Sequence, residues 1–321
     1  MSTDPRLIRM RQDAASAFIR GGADEPRNVS DERPEARPAP ARSQVICVAS
    51  GKGGTGKTFV ATNLAVELAR SGKRVALIDA DFGLANTHLM MGIEPRYDIS
   101  HLMSGERTLR EIIEHGPMGV RVVPGGFLRT GLALGADSQI EGIMSALAPI
   151  EEEADIVIVD LAAGISQRTA RFLAGAHDIV LVANHEVTSR QDVMSTLGML
   201  ADTLGAATVH LVINMARDRG HATVTFQQIW TRASRMWRGR IKLFFSGWIP
   251  RNHYVQSSIL RGKPVVIAHP QCAPTRNIRL MAARLLKHHG VWRSRQVGRW
   301  SAPSAFEPIA GVGSPPPSPF D

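Results

Sequence analysis

The chain has 321 residues, 44% of them hydrophobic, and a formal net charge of +9. That length admits one large α/β domain or two ordinary ones, with enough apolar side chains for a substantial core. No apolar run reaches the ~18–20 residues of a spanning helix, and charges throughout Met1–Arg20 argue against a secretory signal. Two cysteines argue against a disulfide framework. The expected compartment is therefore the cytosol, and the positive charge points to an acidic partner, either nucleic acid or an anionic membrane surface.

Residues 1–42 read as an N-terminal extension. Leu7–Ile19 offers an imperfect apolar face, either a short docking helix or a disordered end, and residues 21–42 are Pro-rich and charged, too poor in large apolar groups to order. Residues 43–288 alternate short apolar runs with helical stretches. Strands are expected at Gln44–Ala49, Arg74–Asp79, Val120–Val123, Ile156–Asp160, Ile179–Ala183, Thr208–Ile213 and Leu243–Ile249. Helices are expected at Thr58–Arg70, Gln139–Glu151, Gln167–Ala174, Ser189–Leu204, Val224–Trp237, His253–Arg261 and Arg276–His288. This alternation predicts a single α/β domain with a mostly parallel, twisted sheet and helices on both faces. Residues 289–321, basic and then Pro-rich, read as a disordered tail.

The first strand runs into Gly51-Lys52-Gly53-Gly54-Thr55-Gly56-Lys57-Thr58, and a helix follows. Glycines let successive backbone N–H groups curl around one anion, and the helix start adds its dipole, so the segment reads as a phosphate-binding loop. Lys57 is assigned to the β- and γ-phosphates of a nucleoside triphosphate and the Thr58 hydroxyl to Mg²⁺. Ligands of open parallel sheets sit at strand carboxyl ends. Asp160, at the tip of an apolar strand, is placed to hold Mg²⁺ through water. Asp79 is assigned to the metal shell and Asp81 to the attacking water. The alternative for these two acids is that they cap the helix after their strand. Gly164 gives the loop after Asp160 freedom to respond to the γ-phosphate.

Lys52 is not required by an ordinary phosphate loop. With Lys57 already on the near side, Lys52 is expected to reach across to a second subunit's nucleotide, so that ATP holds a symmetric homodimer and hydrolysis releases it.

Lys52–Thr58 resembles the deviant Walker A sequence of the MinD/ParA family of dimerising ATPases. Asp79–Asn86 is similar to that family's switch I and Asp160–Ser166 to its switch II. Within the family the chain is most similar to the FlhG (FleN, YlxH) branch, which governs flagellar number and placement. The similarity lies in Gly83-Leu84-Ala85-Asn86, Ala163-Gly164-Ile165-Ser166, Pro124-Gly125-Gly126, Glu186 with Thr188-Ser189, and Gly247–Pro250 with the run Val255–Pro270. The resemblance covers residues 43–288. It implies adenine recognition by Asn214 with backbone near Pro250 lining the base, Lys52 acting in trans, and Asp81 positioning water. It further implies an ATP-bound homodimer, peripheral attachment to the inner membrane, and flagellar partners such as an FlhF-like GTPase and switch-complex components. The chain departs from the branch at Leu161, Ala162, His185 and Asn252. The branch's amino-terminal Asp-Gln-Ala…Leu-Arg motif is met only by Gln12, Asp13, Ala14 and Ile19-Arg20 at the wrong spacing.

Between Arg217 and Arg251, eight Lys and Arg face one acid, Asp218, with Trp230, Trp237, Phe244, Phe245 and Trp248 interleaved. This suits DNA or a membrane interface, or a helix whose Val224, Ile229 and Trp237 face the sheet beneath a solvated charged side. Arg276–His288 reads as the final helix packed on the sheet, and Val291–Trp300 as a candidate anchor. Cys47 and Cys272 do not form the paired, exposed thiols of an iron–sulfur carrier, and with only Tyr97 and Tyr254 the tail lacks the tyrosines of a tyrosine kinase of related fold. A ParA-like DNA-partition ATPase and a MinD-like division-site ATPase are the competing functions.

Overall fold

The computed structural model describes residues 43–126, 137–164, 166–184 and 186–289. Expectations for residues 1–42 and 290–321 lie outside these. Eight strands form one sheet: β1 Gln44–Ala49, β2 Val75–Ala80, β3 Glu114–His115, β4 Arg121–Val123, β5 Ile156–Leu161, β6 Asp178–Ala183, β7 Ala207–Ala216 and β8 Ile241–Pro250. Their order is β3-β4-β2-β5-β1-β6-β7-β8, parallel throughout except for the β3–β4 pair. The order therefore reverses on either side of β1, and the loop after β1 opens at that switch point.

Every residue of β1 is buried, which explains the apolar run Val45–Ala49 after Gln44. Side chains alternate across the sheet: Val45, Cys47 and Ala49 enter one core, Ile46 and Val48 the other. The first core is covered by α5 (Asp137–Leu147), α6 (Pro149–Glu153), α7 (Gln167–Ala174), α8 (Val187–Leu204) and α9 (Arg219–Met236). The second is covered by α1 (Lys57–Arg70), α11 (Val265–Ala268) and α12 (Ala273–His289). As expected, the last helix packs inward, through Ile278, Met281, Ala282 and Leu285. Burial pushes the Cys47 thiol far up, so it is an inert core group.

A buried polar chain crosses four strands, β1, β6, β7 and β8. Gln44 Nε2 donates to Asp178 Oδ2 (2.6 Å), His210 Nε2 lies 3.1 Å from Asp178 Oδ1, and His210 Nδ1 lies 2.8 Å from Ser246 Oγ. Burial alone would raise the Asp178 pKa, but His210 and Gln44 outweigh it and hold the carboxyl below its ordinary value.

All seven expected strands form. The expected helix Gln139–Glu151 is instead two, α5 and α6, because Pro149 starts a new helix and cannot donate to the preceding turn. Four short helices were not read from the sequence: α2 (Thr87–Met91), α3 (Ile99–Met103), α4 (Leu109–Ile112) and α11, while α10 spans His253–Leu260. They are too short to show a period, although α3 and α4 carry capping boxes, Asp98 with His101 and Thr108 with Glu111. On α9, Ile229 is buried and Trp237 packs against Gly198 of α8, but Val224 is exposed rather than facing the sheet.

Candidate nucleotide site

Gly54 (φ 77°) and Gly56 (φ 87°) adopt left-handed conformations that turn the chain from β1 into α1. Gly56 is the N-cap of α1 and supplies no side-chain cap, so the first amides of α1 remain open toward the loop. A Cβ at Gly53 or Gly54 would meet open space, whereas one at Gly51 would lie 2.7 Å from Asp192 Cβ on α8 and one at Gly56 would lie 2.2 Å from Asn214 Nδ2. The loop is thus held from below by two elements and open above. Asn214 Nδ2 donates to the Thr55 carbonyl (2.8 Å), while its Oδ1 accepts from the Met215 amide (2.9 Å). The residue expected to read a base also braces the phosphate loop. Pro250 closes β8 opposite Ala216 of β7, two residues beyond Asn214, so both expected base contacts meet at one sheet corner.

Lys57 is buried and its Nζ donates to Asp160 Oδ1 (2.7 Å). Burial pushes the Asp160 pKa up to about 6; Lys57 and the Thr58 hydroxyl oppose the rise and Asp79 adds to it. The second oxygen, Asp160 Oδ2, is buried with no hydrogen-bond partner, as is Thr55 Oγ1. An orphaned carboxylate oxygen beside the Thr58 hydroxyl fits a hard divalent cation. Together with the open glycine cradle and Lys57, it fits a Mg²⁺–triphosphate: Thr58 and Asp160 would hold the metal, and Lys57 would serve the phosphates. Bound there, the metal would neutralise charge between the phosphates.

Asp79 stands opposite Asp160 in the β2–β5 register. Its carboxylate accepts from the amides of Asp81 (3.1 Å), Asn86 (3.1 Å) and Thr87 (3.0 Å), and from the Thr87 hydroxyl. Burial raises its pKa against these bonds. One side chain thus clips both ends of the loop 81–86, an organising role, and Asp160 Oδ2 is the carboxylate oxygen left open. Gly125 permits this packing, since a Cβ there would lie 2.6 Å from the Asp79 carbonyl oxygen. Asp81 sits at the start of the loop, where its carbonyl accepts from Gly83 (2.7 Å) and Leu84 (3.2 Å). The adjoining Phe82 ring packs on Phe172 of α7 at 6.4 Å between centroids. Gly164 (φ 78°) donates its amide to the Ser50 carbonyl at 2.9 Å, tying the loop after Asp160 to the base of the phosphate loop.

Lys52 leaves the loop on the side away from Lys57. Its Nζ bonds the Glu186 carboxylate and Thr188 Oγ1 (3.0 Å), both partly exposed at the start of α8. The sequence motif contains Glu186 and Thr188 without revealing this contact, and Asp192 lies outside it. Gly51 was the signal for Asp192, because a glycine there answers the close approach of α8.

The fold and site define a nucleotide-binding α/β domain with a phosphate loop at a sheet switch point and a second lysine at its outer lip. Residues 46–265 match the CobQ/CobB/MinD/ParA nucleotide-binding domain, and the chain belongs to that family. It is 32% identical over 228 residues to the antiactivator FleN of Pseudomonas aeruginosa, covering 71% of this chain and 81% of that one. It is 28% identical over 194 residues to the flagellum site-determining protein YlxH of Helicobacter pylori, covering 58% and 63%. In fold it is similar to the septum site-determining protein MinD of Pyrococcus horikoshii OT3 complexed with Mg-ADP, with a TM-score of 0.62 and 23% identity over 79% of this chain and 99% of that one.

Proposed function

We propose that the chain is an ATP-dependent dimerising switch that sets flagellar number and placement at the inner membrane, hydrolysing ATP slowly until a partner stimulates it. The observation that carries this reading is the separation of its two loop lysines. Lys57 is buried on Asp160, while Lys52 is partly exposed and bonded to Glu186 and Thr188 at the surface. A surface ion pair of this kind is worth roughly 0–1 kcal/mol, so a partner's phosphates can readily displace it. In the dimer, Lys52 supplies charge to the neighbour's nucleotide and Asp81 positions water. Asn214 and the Pro250 backbone contact adenine. The similarity to FleN and YlxH supports the flagellar assignment.

Two measurements test it. Purified protein with a non-hydrolysable ATP analogue should shift from monomer to dimer, and Lys52→Ala should bind nucleotide yet stay monomeric. Cells carrying Lys57→Ala should show the wrong number or position of flagella with normal chromosome segregation. Lost chromosomes beside normal flagella would favour DNA partition instead, and misplaced division septa would favour a MinD-like role.

A further inference from the structure

The sheet has two margins and protects only one of them. At one stands β3, two residues long and too short to template another chain. At the other stands β8, ten residues reading Ile-Lys-Leu-Phe-Phe-Ser-Gly-Trp-Ile-Pro. β7 holds its inner edge, α9 packs on one face and α12 on the other. Among the described residues no strand pairs with its outer edge. Natural edges are blunted by short length, charge, proline or a bulge. Before its bulge at Ser246-Gly247, β8 has one lysine, and its proline is the last residue.

The ladder fixes which backbone groups are free. The Ala207 amide donates to the Arg240 carbonyl, and Ala207 stands opposite Ile241. In a parallel pair, alternate residues point both backbone groups at the partner strand. Arg240, Lys242 and Phe244 therefore face β7, whereas Ile241, Leu243 and Phe245 turn their N–H and C=O groups to the open margin. After Phe245 the register shifts, and the Ser246 carbonyl accepts from Arg284 of α12 (2.8 Å), which ends the free stretch.

Side chains alternate as well. Leu243 and Phe245 lie on the α9 face, where Phe226 packs on Phe245 at 5.0 Å between centroids. Gln228 and Arg232 line a groove toward α8. Trp230, one turn on from Phe226, lies on the opposite flank of α9 and is 48% exposed. Lys242 takes the α12 face, which also carries Arg284.

An extended segment laid along Ile241–Phe245 would thus meet aromatic rings on one side and cations on the other. Residues 219–250 contain six Lys and Arg and no Asp or Glu, and α12 adds four with none. Asp202 on Arg240 and Glu67 on Arg279 reach this end from α8 and α1. A second copy of β8 would bring two acid-free margins together, which like charges oppose. Residues 290–300 add three arginines and no acid, so the chain following α12 is opposed for the same reason.

We propose that the outer edge of β8, from Ile241 to Phe245, is a β-augmentation site for an extended acidic segment of a partner protein, its acids alternating with apolar residues. Backbone pairing supplies the grip, Trp230 and Phe226 take the apolar side chains, and Lys242 and Arg284 take the acids. The stretch lies at the amino end of β8, while Pro250 closes the other end at the proposed base site. Docking and nucleotide binding therefore do not compete, and each is tested alone.

The test uses the full chain and a fluorescein-labelled peptide, Glu-Val-Glu-Val-Glu-Val-Glu, with residue-resolved amide exchange by NMR. Without peptide, the amides of Leu243 and Phe245 should exchange fast beside slow ones at Lys242 and Phe244. With it, Leu243 and Phe245 should slow by at least ~10-fold. Lys-Val-Lys-Val-Lys-Val-Lys should not bind. Lys242→Glu should weaken binding roughly fivefold, the reach of one surface ion pair, and Trp230→Ala should weaken it without altering its salt dependence. Leu243→Pro should abolish it in a folded chain, since that N–H lies outside the ladder. Thermal midpoints check folding, and the wild-type exchange pattern decides the matter if this variant unfolds. Leu243 and Phe245 amides already slow without peptide would mean that another segment of the chain or a second copy covers the edge. That result, equal binding of the lysine peptide, binding that leaves these two amides fast, or no binding would each overturn the assignment.

Discussion

Replacing Asn214 by Ala tests the bracing of the phosphate loop against the base recognition proposed for the same side chain. Asn214 is buried, and its amide joins the Thr55 carbonyl at 2.8 Å and the Met215 amide at 2.9 Å. Truncation strips the partner from two backbone groups, each costing ~1–3 kcal/mol if it stays dry. Thr55 lies beside the open loop, so water can take up part of the loss, and a total of about 2–4 kcal/mol is expected. The loop should then loosen, raising Kd for ATP and GTP by similar factors. Urea unfolding without nucleotide and calorimetric titration with both nucleotides measure the two effects. Gly56 provides an internal control. Its missing Cβ would stand 2.2 Å from Asn214 Nδ2, so Gly56→Ala should cost less in the Asn214→Ala background than in the wild type, although φ of 87° keeps some strain in both. Unchanged stability with a collapsed preference for ATP over GTP would refute the bracing role and leave base recognition alone.

Four other perturbations probe the same architecture. Lys57→Met leaves Asp160 alone in the core and should cost about 3–5 kcal/mol at neutral pH, with urea midpoints recovering as acid neutralises the carboxyl. In the wild type, Asp160 has its pKa raised to about 6 from 3.8, so its contribution to the nucleotide-free fold is full below 3.8 and is lost as pH rises through 6; Asp160→Asn should flatten that window. Gly51→Ala drives a methyl to 2.7 Å from Asp192 Cβ and 2.8 Å from its carbonyl oxygen, and a loss of about 1–3 kcal/mol by thermal unfolding is expected. Glu186→Ala, which frees the partly exposed Lys52, should change stability by less than about 1 kcal/mol while lowering the analogue concentration that half-saturates dimerisation. Asp178, whose pKa is lowered, stabilises above the ordinary carboxylate value and loses that contribution as pH falls through its folded value. Urea midpoints of Asp178→Asn should therefore lie well below wild type at neutral pH and converge with it in strong acid.

What could be read in advance follows the range of the interactions involved. Gly51–Thr58 is legible because the glycines, the lysine and the helix start act within eight residues, and β1 is legible because burial on both faces leaves an apolar run. The alternative reading of Asp79 as a cap of the helix after its strand is also local, since Asn86 and Thr87, where that helix starts, lie seven and eight residues on. The grip of Asn214 on Thr55 is different: it spans 159 residues, and the Lys52–Glu186 pair spans 134. Both depend on where crossovers deposit β6 beside β1, β7 beside β6, and α8 over the first core, which periodicity and spacing do not encode. Read from the sequence, each residue carries a single task, whereas Asn214 and Asp79 hold the backbone of neighbouring loops as well. A buried amide in a crowded loop must satisfy its donors before any ligand arrives. Asn214 is therefore committed to the phosphate loop before any ligand arrives, and if it reads the base as proposed, changes there should be felt at the phosphates. That coupling is why the paired Asn214 and Gly56 variants, rather than either alone, are the decisive measurement of how this site is built.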